Sequence, residues 1–174
     1  MMKLNIKIII FFCTLFYINN AFSQSEQDYY NQGVEKIKVK KYAEAIITFN
    51  KAIDINPAFV EAYVNRGLSK GSLLDFIGAI NDFETALKFD TENASKYKIL
   101  FNLGTAKFST KDFEGAIRCF NQSISINPNF GEAYQNRGIT EITIGLKQEG
   151  CTDLIKAKEL GSKTVDNLIK KYCL

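Results

Sequence analysis

Small and large apolar residues recur along this chain at the spacing of one helix face. In the stretch YAEAIITFNKAIDINP, residues 42–57, Ala45, Phe49 and Ala52 follow one another at intervals of four and three residues. Residues with this spacing lie on one side of an α-helix. The proline that follows cannot continue the helix. The stretch therefore predicts an amphipathic helix that ends before Pro57.

The same pattern returns three more times along the chain. The copies are FIGAINDFETALKFDT at 76–91, FEGAIRCFNQSISINP at 113–128 and the more divergent KQEGCTDLIKAKELGS at 147–162. A shorter phrase ending in glycine precedes each copy: YYNQG, YVNRG, LFNLG and YQNRG. Aligning these glycines gives units that start at residues 26, 60, 97 and 131, separated by 34, 37 and 34 residues. A period near 34 with two helical phrases per unit is typical of a helix-turn-helix array.

The eighth position of every unit is glycine, and this predicts close helix packing. A glycine inside a helix costs about 0.5–1 kcal/mol relative to alanine, so its recurrence at one position indicates a structural need. The twentieth position is small as well, and the twenty-fourth is large and apolar. These three positions are occupied by Gly33, Gly67, Gly104 and Gly138; by Ala45, Ala79, Ala116 and Gly150; and by Phe49, Phe83, Phe120 and Leu154. We expect the two helices of a unit to cross at their small residues.

Together these residues resemble the tetratricopeptide repeat over about Glu26–Ser162. The resemblance implies an all-α fold in which antiparallel helix pairs stack into a right-handed superhelix, with first helices on the concave face and second helices on the convex face. Four repeats (26–59, 60–96, 97–130 and 131–162) then form a single domain over 24–174. We expect helices at 26–38, 43–55, 60–72, 76–88, 95–109, 113–125, 131–143 and 148–160.

A further helix is predicted after the last repeat, over residues 163–173. Ser162 is a suitable N-cap residue, and Val165, Leu168, Ile169 and Tyr172 follow helical spacing. The remaining side is rich in lysine. Such a helix would cap the array, because a terminal repeat needs a polar outer face for solubility.

The resemblance also implies a peptide-binding groove on the first helices. The sixth position of every unit is asparagine, and in the family this position faces the groove: Asn31, Asn65, Asn102 and Asn136. An amide offers two donors and an acceptor, so a ladder of four could hold the backbone of an extended peptide. Packing between repeats is the alternative role. The other residues assigned to the groove are Tyr30, Val64, Leu68, Lys98, Phe101 and Gln135. A clamp for C-terminal carboxylates, known from one subclass, is not expected, because three of its five positions differ.

Little in the sequence favours catalysis. The chain contains no histidine, which excludes Ser–His–Asp and Cys–His arrangements, and the three cysteines after residue 23, without histidine, make a poor zinc site. We predict no catalytic residue, metal, cofactor or small-molecule substrate. The net charge of +3 includes two lysines near the N-terminus, and no basic run indicates nucleic acid. The predicted function is a scaffold that binds another protein; the alternative is a structural subunit of a cell-envelope assembly, docked through its convex face or its cap.

Residues 1–23 have the pattern of a secretory signal peptide. Lys3 and Lys7 precede an apolar run over 8–18, and Ala21-Phe22-Ser23 suits cleavage before Gln24. Eleven apolar residues are too few to span a bilayer, which needs about 20. We therefore expect export to the periplasm or beyond, as in the small exported repeat proteins of Bacteroidetes-like bacteria. An uncleaved membrane anchor is the alternative.

Export would allow the cysteines to form a disulfide, because disulfides persist in oxidising compartments. Cys151 occupies the position that points at the following helix, and Cys173 ends the predicted capping helix. The turn at Gly161–Ser162 lies about midway between them, so the two are nearly level along antiparallel helices that rise 1.5 Å per residue. We predict a bridge between them, with Cys119 left as a free thiol. Two reduced core cysteines are the alternative.

Overall fold

The computed structural model describes residues 24–90 and 95–174, and within these ranges it contains nine α-helices and no strand. The predicted signal peptide lies outside the described residues. The first eight predicted helices are confirmed, with ends that agree to within one residue. The helices are α1 (Glu26–Lys38), α2 (Tyr42–Ile55), α3 (Val60–Ser72), α4 (Phe76–Phe89), α5 (Lys96–Ser109), α6 (Phe113–Ile126), α7 (Gly131–Thr143), α8 (Lys147–Glu159) and α9 (Asp166–Tyr172).

Local chemistry explains where these helices begin and how the chain turns between them. Ser25 and Asp28 form a reciprocal capping box at the start of α1. The side chains of Asp75 and Asp112 accept the backbone N–H groups of Gly78 and Gly115 at the starts of α4 and α6. The turn inside each repeat holds one residue in the left-handed region, which ends the first helix tightly. These residues are Lys40, Leu74, Lys111 and Gly145, with φ values of 59°, 65°, 66° and 93°.

The helices stack in sequence order. Each helix from α1 to α8 packs against the next one, and the first helices of neighbouring repeats also contact one another, α1 with α3, α3 with α5 and α5 with α7. A stack in which one set of helices approaches more closely curves toward that set. The inner side of the stack is therefore formed by α1, α3, α5 and α7.

An aromatic ring packs on the glycine at position eight of each of the first three repeats. A Cβ atom at Gly67 would lie 2.8 Å from the Phe83 ring, and one at Gly104 would lie 2.7 Å from the Phe120 ring. These rings are almost wholly buried. The expected close approach of the second helix is present, but the ring four residues beyond the small residue, rather than the small residue itself, lies nearest the glycine in these repeats. In the fourth repeat the expectation is confirmed: a Cβ at Gly138 would lie 2.7 Å from the carbonyl oxygen of Gly150.

Ion pairs join the two helices of the second and fourth repeats, and the same arginines also bond the preceding repeat. Arg66 donates to both carboxylate oxygens of Asp82, at 2.9 and 2.6 Å, and to Asn50 of the preceding repeat at 2.7 Å. Lys70 lies 2.9 Å from the same carboxylate, which is 4% exposed. The fourth repeat repeats the arrangement with Arg137, which bonds both oxygens of Asp153, at 2.6 and 2.8 Å, and Asn121 of the third repeat. A bidentate pair of this kind fixes the orientation of the guanidinium as well as its distance from the carboxylate.

The C-terminal helix covers the last repeat, but it is shorter than predicted. It begins at Asp166, after a turn in which Val165 is fully buried among residues such as Leu154. Ser162 does not cap it; its hydroxyl instead donates to Gln135 at 2.6 Å. The buried valine explains the late start, because the chain must first bring this side chain down onto α8.

A disulfide joins α8 to the residue that follows α9. The Cα atoms of Cys151 and Cys173 are 5.6 Å apart and the sulfurs are bonded, as the register of the two helices predicts. Cys119 is a buried free thiol, and burial raises its pKa. The bridge therefore ties the short terminal helix to the most divergent repeat.

Candidate functional site

A cavity of about 260 Å³ opens on the inner side, between the second and third repeats. Its walls come from α3 and α5, and its floor comes from α4. No lining residue carries a charge. The lining residues are Gly67, Leu68, Gly71, Ser72, Phe76, Ala79, Phe83, Asn102, Thr105, Ala106 and Ser109.

A second cavity, of about 200 Å³, occupies the equivalent place one repeat further on. It lies between α5 and α7 and above the Phe120 ring. Its lining is again uncharged, and it is more enclosed by large side chains: Thr105, Phe108, Phe120, Asn136 and Ile139. The two cavities share Thr105, so they follow one another along a continuous surface.

Three hydroxyl groups that line the first cavity donate their protons to the backbone of their own helix. Ser72, Thr105 and Ser109 each donate to the backbone carbonyl four residues earlier, at 2.9, 3.0 and 3.1 Å. A hydroxyl that donates in this way keeps lone pairs for another donor. The rim therefore offers acceptors to the N–H groups of a molecule that enters the cavity.

Two of the four asparagines predicted for the groove bind the preceding repeat. The Asn65 amide donates to the Tyr30 hydroxyl and to the carbonyl of Glu61, both at 3.0 Å. The Asn136 amide donates to Thr105 at 3.2 Å. Both donors of Asn65 and one of Asn136 are thus used inside the protein, as the alternative of packing between repeats requires.

The other two asparagines are more available. Asn31 is exposed, and its carbonyl accepts a hydrogen bond from Gln27 at 3.0 Å. Asn102 lines the first cavity, and its amide makes no side-chain hydrogen bond to residues 24–90 or 95–174. The four asparagines thus share a position but not an environment, and Asn102 has the greatest capacity for an incoming ligand.

The aromatic residues predicted for the groove pack mainly into the protein. The Tyr30 ring lies 5.1 Å from that of Phe59, and the Phe101 ring lies 5.0 Å from that of Phe130. Val64 packs against the core of the second and third repeats. Leu68 remains 41% exposed at the first cavity. Tyr30, Phe101 and Val64 therefore pack beneath the inner surface of the stack, whereas Leu68 forms part of that surface.

The two polar residues predicted with them make their contacts outside the cavities. Gln135 accepts hydrogen bonds from Ser162 and Thr164, at 2.6 and 2.8 Å, and so anchors the segment before α9. Lys98 is exposed, with its ammonium 5.7 Å from the centre of the Tyr97 ring. Neither residue lines either cavity.

One cavity residue that the sequence did not identify is Gly71. It occupies position twelve of its repeat, where the other repeats have Ile37, Phe108 and Ile142. A Cβ atom there would meet only the Ala79 Cβ, at 4.0 Å. Aligning the repeats could have identified Gly71, because it is the one position-twelve residue without a large side chain.

Glu141 is the most perturbed acid in the described part of the chain. Burial, and then the negative charge of Asp153, raise its pKa from 4.5 to about 7, against the opposing effect of Arg137 and with a smaller contribution from Glu149. Its side chain is 14% exposed, and the nearest Arg137 nitrogen is 3.9 Å away. Glu141 lines neither cavity, so its protonation bears on stability.

Two features are absent from residues 24–90 and 95–174. No helix there is long and apolar enough to cross a membrane. No group of three or more histidine, cysteine, aspartate or glutamate side chains is placed to hold a metal ion.

Comparison with known proteins identifies the repeats. Family models of the tetratricopeptide repeat match residues 29–59 and 97–130. A relative, the STIP1 homolog of Dictyostelium discoideum, is 37% identical over 70 residues, which cover 40% of this chain and 12% of that protein. The chain thus matches only a small part of that relative's length.

Solved structures share the fold. The crystal structure of MamA superimposes with a TM-score of 0.75 at 23% identity, covering 84% of each chain. YrrB, described as a TPR protein with an unusual peptide-binding site, gives a TM-score of 0.67 at 20% identity, covering 77% of this chain and 68% of its own. The chain therefore contains tetratricopeptide repeats at residues 29–59 and 97–130, and its four helix pairs share the fold of these solved structures.

Proposed function

We propose that this protein is a non-catalytic adaptor whose inner groove binds an extended peptide segment of another protein. The observation that carries the proposal is the pair of uncharged cavities along α3, α5 and α7, with an Asn102 amide at the larger one that bonds no side chain of residues 24–90 or 95–174. An extended peptide offers a carbonyl to that amide and N–H groups to the rim hydroxyls. Its side chains can enter the cavities.

The family supports this reading at a coarser level. Tetratricopeptide repeats are protein-interaction modules, and the similar structure YrrB is described by its peptide-binding site. The groove of this chain differs in detail from a carboxylate clamp, because Tyr30, Val34 and Asn102 occupy clamp positions and Tyr30 is bonded to Asn65. A peptide held through its backbone and apolar side chains fits this lining better than one held by a terminal carboxylate.

Docking through the outer face is the alternative, and the exposed apolar residues of the second helices bear on it. Ile47, Ile77 and Ile155 are 60%, 63% and 49% exposed on α2, α4 and α8. They lie at positions 22, 18 and 25 of their repeats, on one helix face with one residue per repeat, and the third repeat carries Glu114 and Arg118 on that face. Apolar residues scattered in this way are normal on a protein surface. Position thirty, near the end of the second helix, is apolar and exposed in three repeats and is the better candidate for such a contact: Ile55, Phe89 and Ile126 are 49%, 41% and 44% exposed.

Export is a separate part of the proposal. It is supported by the signal-like pattern of residues 1–23 and by the bridge between Cys151 and Cys173, since disulfides persist outside the cytosol. Mass spectrometry of the native protein tests it directly. A mature chain that starts at Gln24 is expected, whereas an intact N-terminus would contradict cleavage and favour an anchor.

The groove is tested with peptides selected from a random library on the purified protein and measured by fluorescence anisotropy. We expect Asn102→Ala to weaken binding about two- to ten-fold, because one hydrogen bond contributes about 0.5–1.5 kcal/mol. Asn81→Ala is the matched control, since Asn81 is an exposed asparagine on the second helix α4. Equal binding by wild type and Asn102→Ala, together with photo-crosslinks from the peptide to second helices, would refute the groove.

A further inference from the structure

The cavity between the second and third repeats lies where the second repeat lacks a large side chain. Position twelve is Ile37 in the first repeat, Phe108 in the third and Ile142 in the fourth, but Gly71 in the second. Gly71 has ordinary helical geometry, and a Cβ atom on it would meet only the Ala79 Cβ at 4.0 Å. Neither backbone strain nor a close neighbour therefore explains the glycine.

The third repeat shows what the missing side chain would do. There the Phe108 ring packs against the Phe113 ring, with centroids 5.5 Å apart and an interplanar angle of 60°. The counterpart of Phe113 in the second repeat is Phe76, a half-buried residue that lines the cavity. Since Gly71 offers no side chain, the face that Phe108 covers in one repeat is left open in the other.

We infer that this cavity is an anchor site for one large apolar side chain, preferably aromatic, of a bound peptide, and that this side chain takes the place of the missing position-twelve residue against Phe76. The inference rests on the proposed function and adds the identity of the anchor. The cavity volume of about 260 Å³ is sufficient, because a cavity of about 150 Å³ accepts a benzene ring. Edge-to-face packing at this separation favours an aromatic ring over an aliphatic group.

The chemistry of the walls restricts the rest of the ligand. All eleven lining residues are uncharged, and burying a charge without a partner is costly, so the anchor residue must be neutral. Asn102 stands on one wall with its amide available, and the hydroxyls of Ser72 and Ser109 accept at the rim. These groups suit the backbone on either side of the anchor, and they distinguish a peptide from a free aromatic molecule, which has no backbone to offer.

Filling the cavity from within tests the inference. The probes are two blocked pentapeptides, acetyl-Ser-Gly-Phe-Gly-Ser-amide and the same peptide with serine at the centre, titrated into 15N-labelled protein. We expect the phenylalanine peptide to shift the amide signals of Gly71, Phe76 and Ser109 and the serine peptide to leave them unchanged. Gly71→Leu should lower the affinity for the phenylalanine peptide by at least about ten-fold. This is the loss expected when a large side chain can no longer be buried.

Two variants protect the result against a folding defect. Gly71→Leu adds a side chain in open space, so its melting temperature should not fall, and Ser109→Leu fills the same cavity from the opposite wall. Gly71→Ala is the control that adds one methyl group and leaves most of the cavity open. Wild-type affinity in both leucine variants would overturn the anchor site, as would equal shifts by the two peptides or no shifts at all.

The anchor and the groove can fail separately. If Asn102→Ala weakens peptide binding while Gly71→Leu does not, the groove stands and the anchor site is overturned. If neither change weakens binding, both proposals are overturned. Acetyl-phenylalanine-amide without flanking residues should bind more weakly than the pentapeptide; equal affinity would overturn the peptide as the occupant and favour a small aromatic molecule.

Discussion

Gly67→Ala should destabilise this protein even though alanine is the better helix former. In most helix interiors the change gains about 0.5–1 kcal/mol. Here the new Cβ atom would lie 2.8, 3.1 and 3.2 Å from three atoms of the Phe83 ring. The ring is 2% exposed and packed among residues of two repeats, so it cannot move away freely.

The expected magnitude follows from two opposing effects. Adding a methylene-sized group to a well-packed core costs about 1–3 kcal/mol, and the gain in helix propensity offsets part of this. The net loss of unfolding free energy should be about 0.5–2 kcal/mol. For a chain of this length that lowers the melting temperature by about 2–4 °C per kcal/mol.

Urea unfolding followed by circular dichroism measures the effect, and the same helix supplies a control. Gly71→Ala lies four residues further on in open space, so it should stabilise by up to about 1 kcal/mol. In a Phe83→Leu background the smaller side chain leaves room, and the penalty of Gly67→Ala should shrink. Equal stability changes for the two glycine variants, or an unchanged penalty beside leucine, would show that the ring does not enforce the glycine.

Three further outcomes are expected. Asp82→Ala leaves a partly buried arginine and a lysine without their shared partner and should cost about 3 kcal/mol in urea unfolding. Glu84→Ala, on the exposed side of the same helix, should change stability by less than about 0.5 kcal/mol; similar losses would contradict a buried carboxylate. Glu141 has a folded-state pKa above its unfolded one, so the native state binds more protons between pH 4.5 and about 7. Wild-type stability should therefore fall relative to Glu141→Gln as pH rises through that window, and a constant difference would refute the shift. Thiol counting on the denatured, unreduced protein should find Cys151 and Cys173 unreactive and one free thiol per mature chain; three would exclude the bridge.

The relation between Asn65 and Asn102 shows where sequence reasoning about the site ended. Aligned repeats place both at position six on the same face, and nothing in that alignment separates them. The difference arises because Tyr30, from the preceding repeat, presents a hydroxyl to Asn65, whereas the preceding repeat presents a cavity to Asn102. A side chain's availability is a property of its neighbours, which come from a different part of the chain.

The sequence by itself determined the first eight helices, the number of repeats and the pairing of Cys151 with Cys173, because each depends on spacing along one chain and on the fixed rise of an α-helix. The tertiary structure alone decided three other points. It showed which ring covers Gly67, where the Arg66 guanidinium finds its partners, and that Gly71 leaves a cavity rather than a close contact. These depend on side chains from two or three repeats meeting at one place, and the direction and reach of each side chain are fixed only when the repeats are packed.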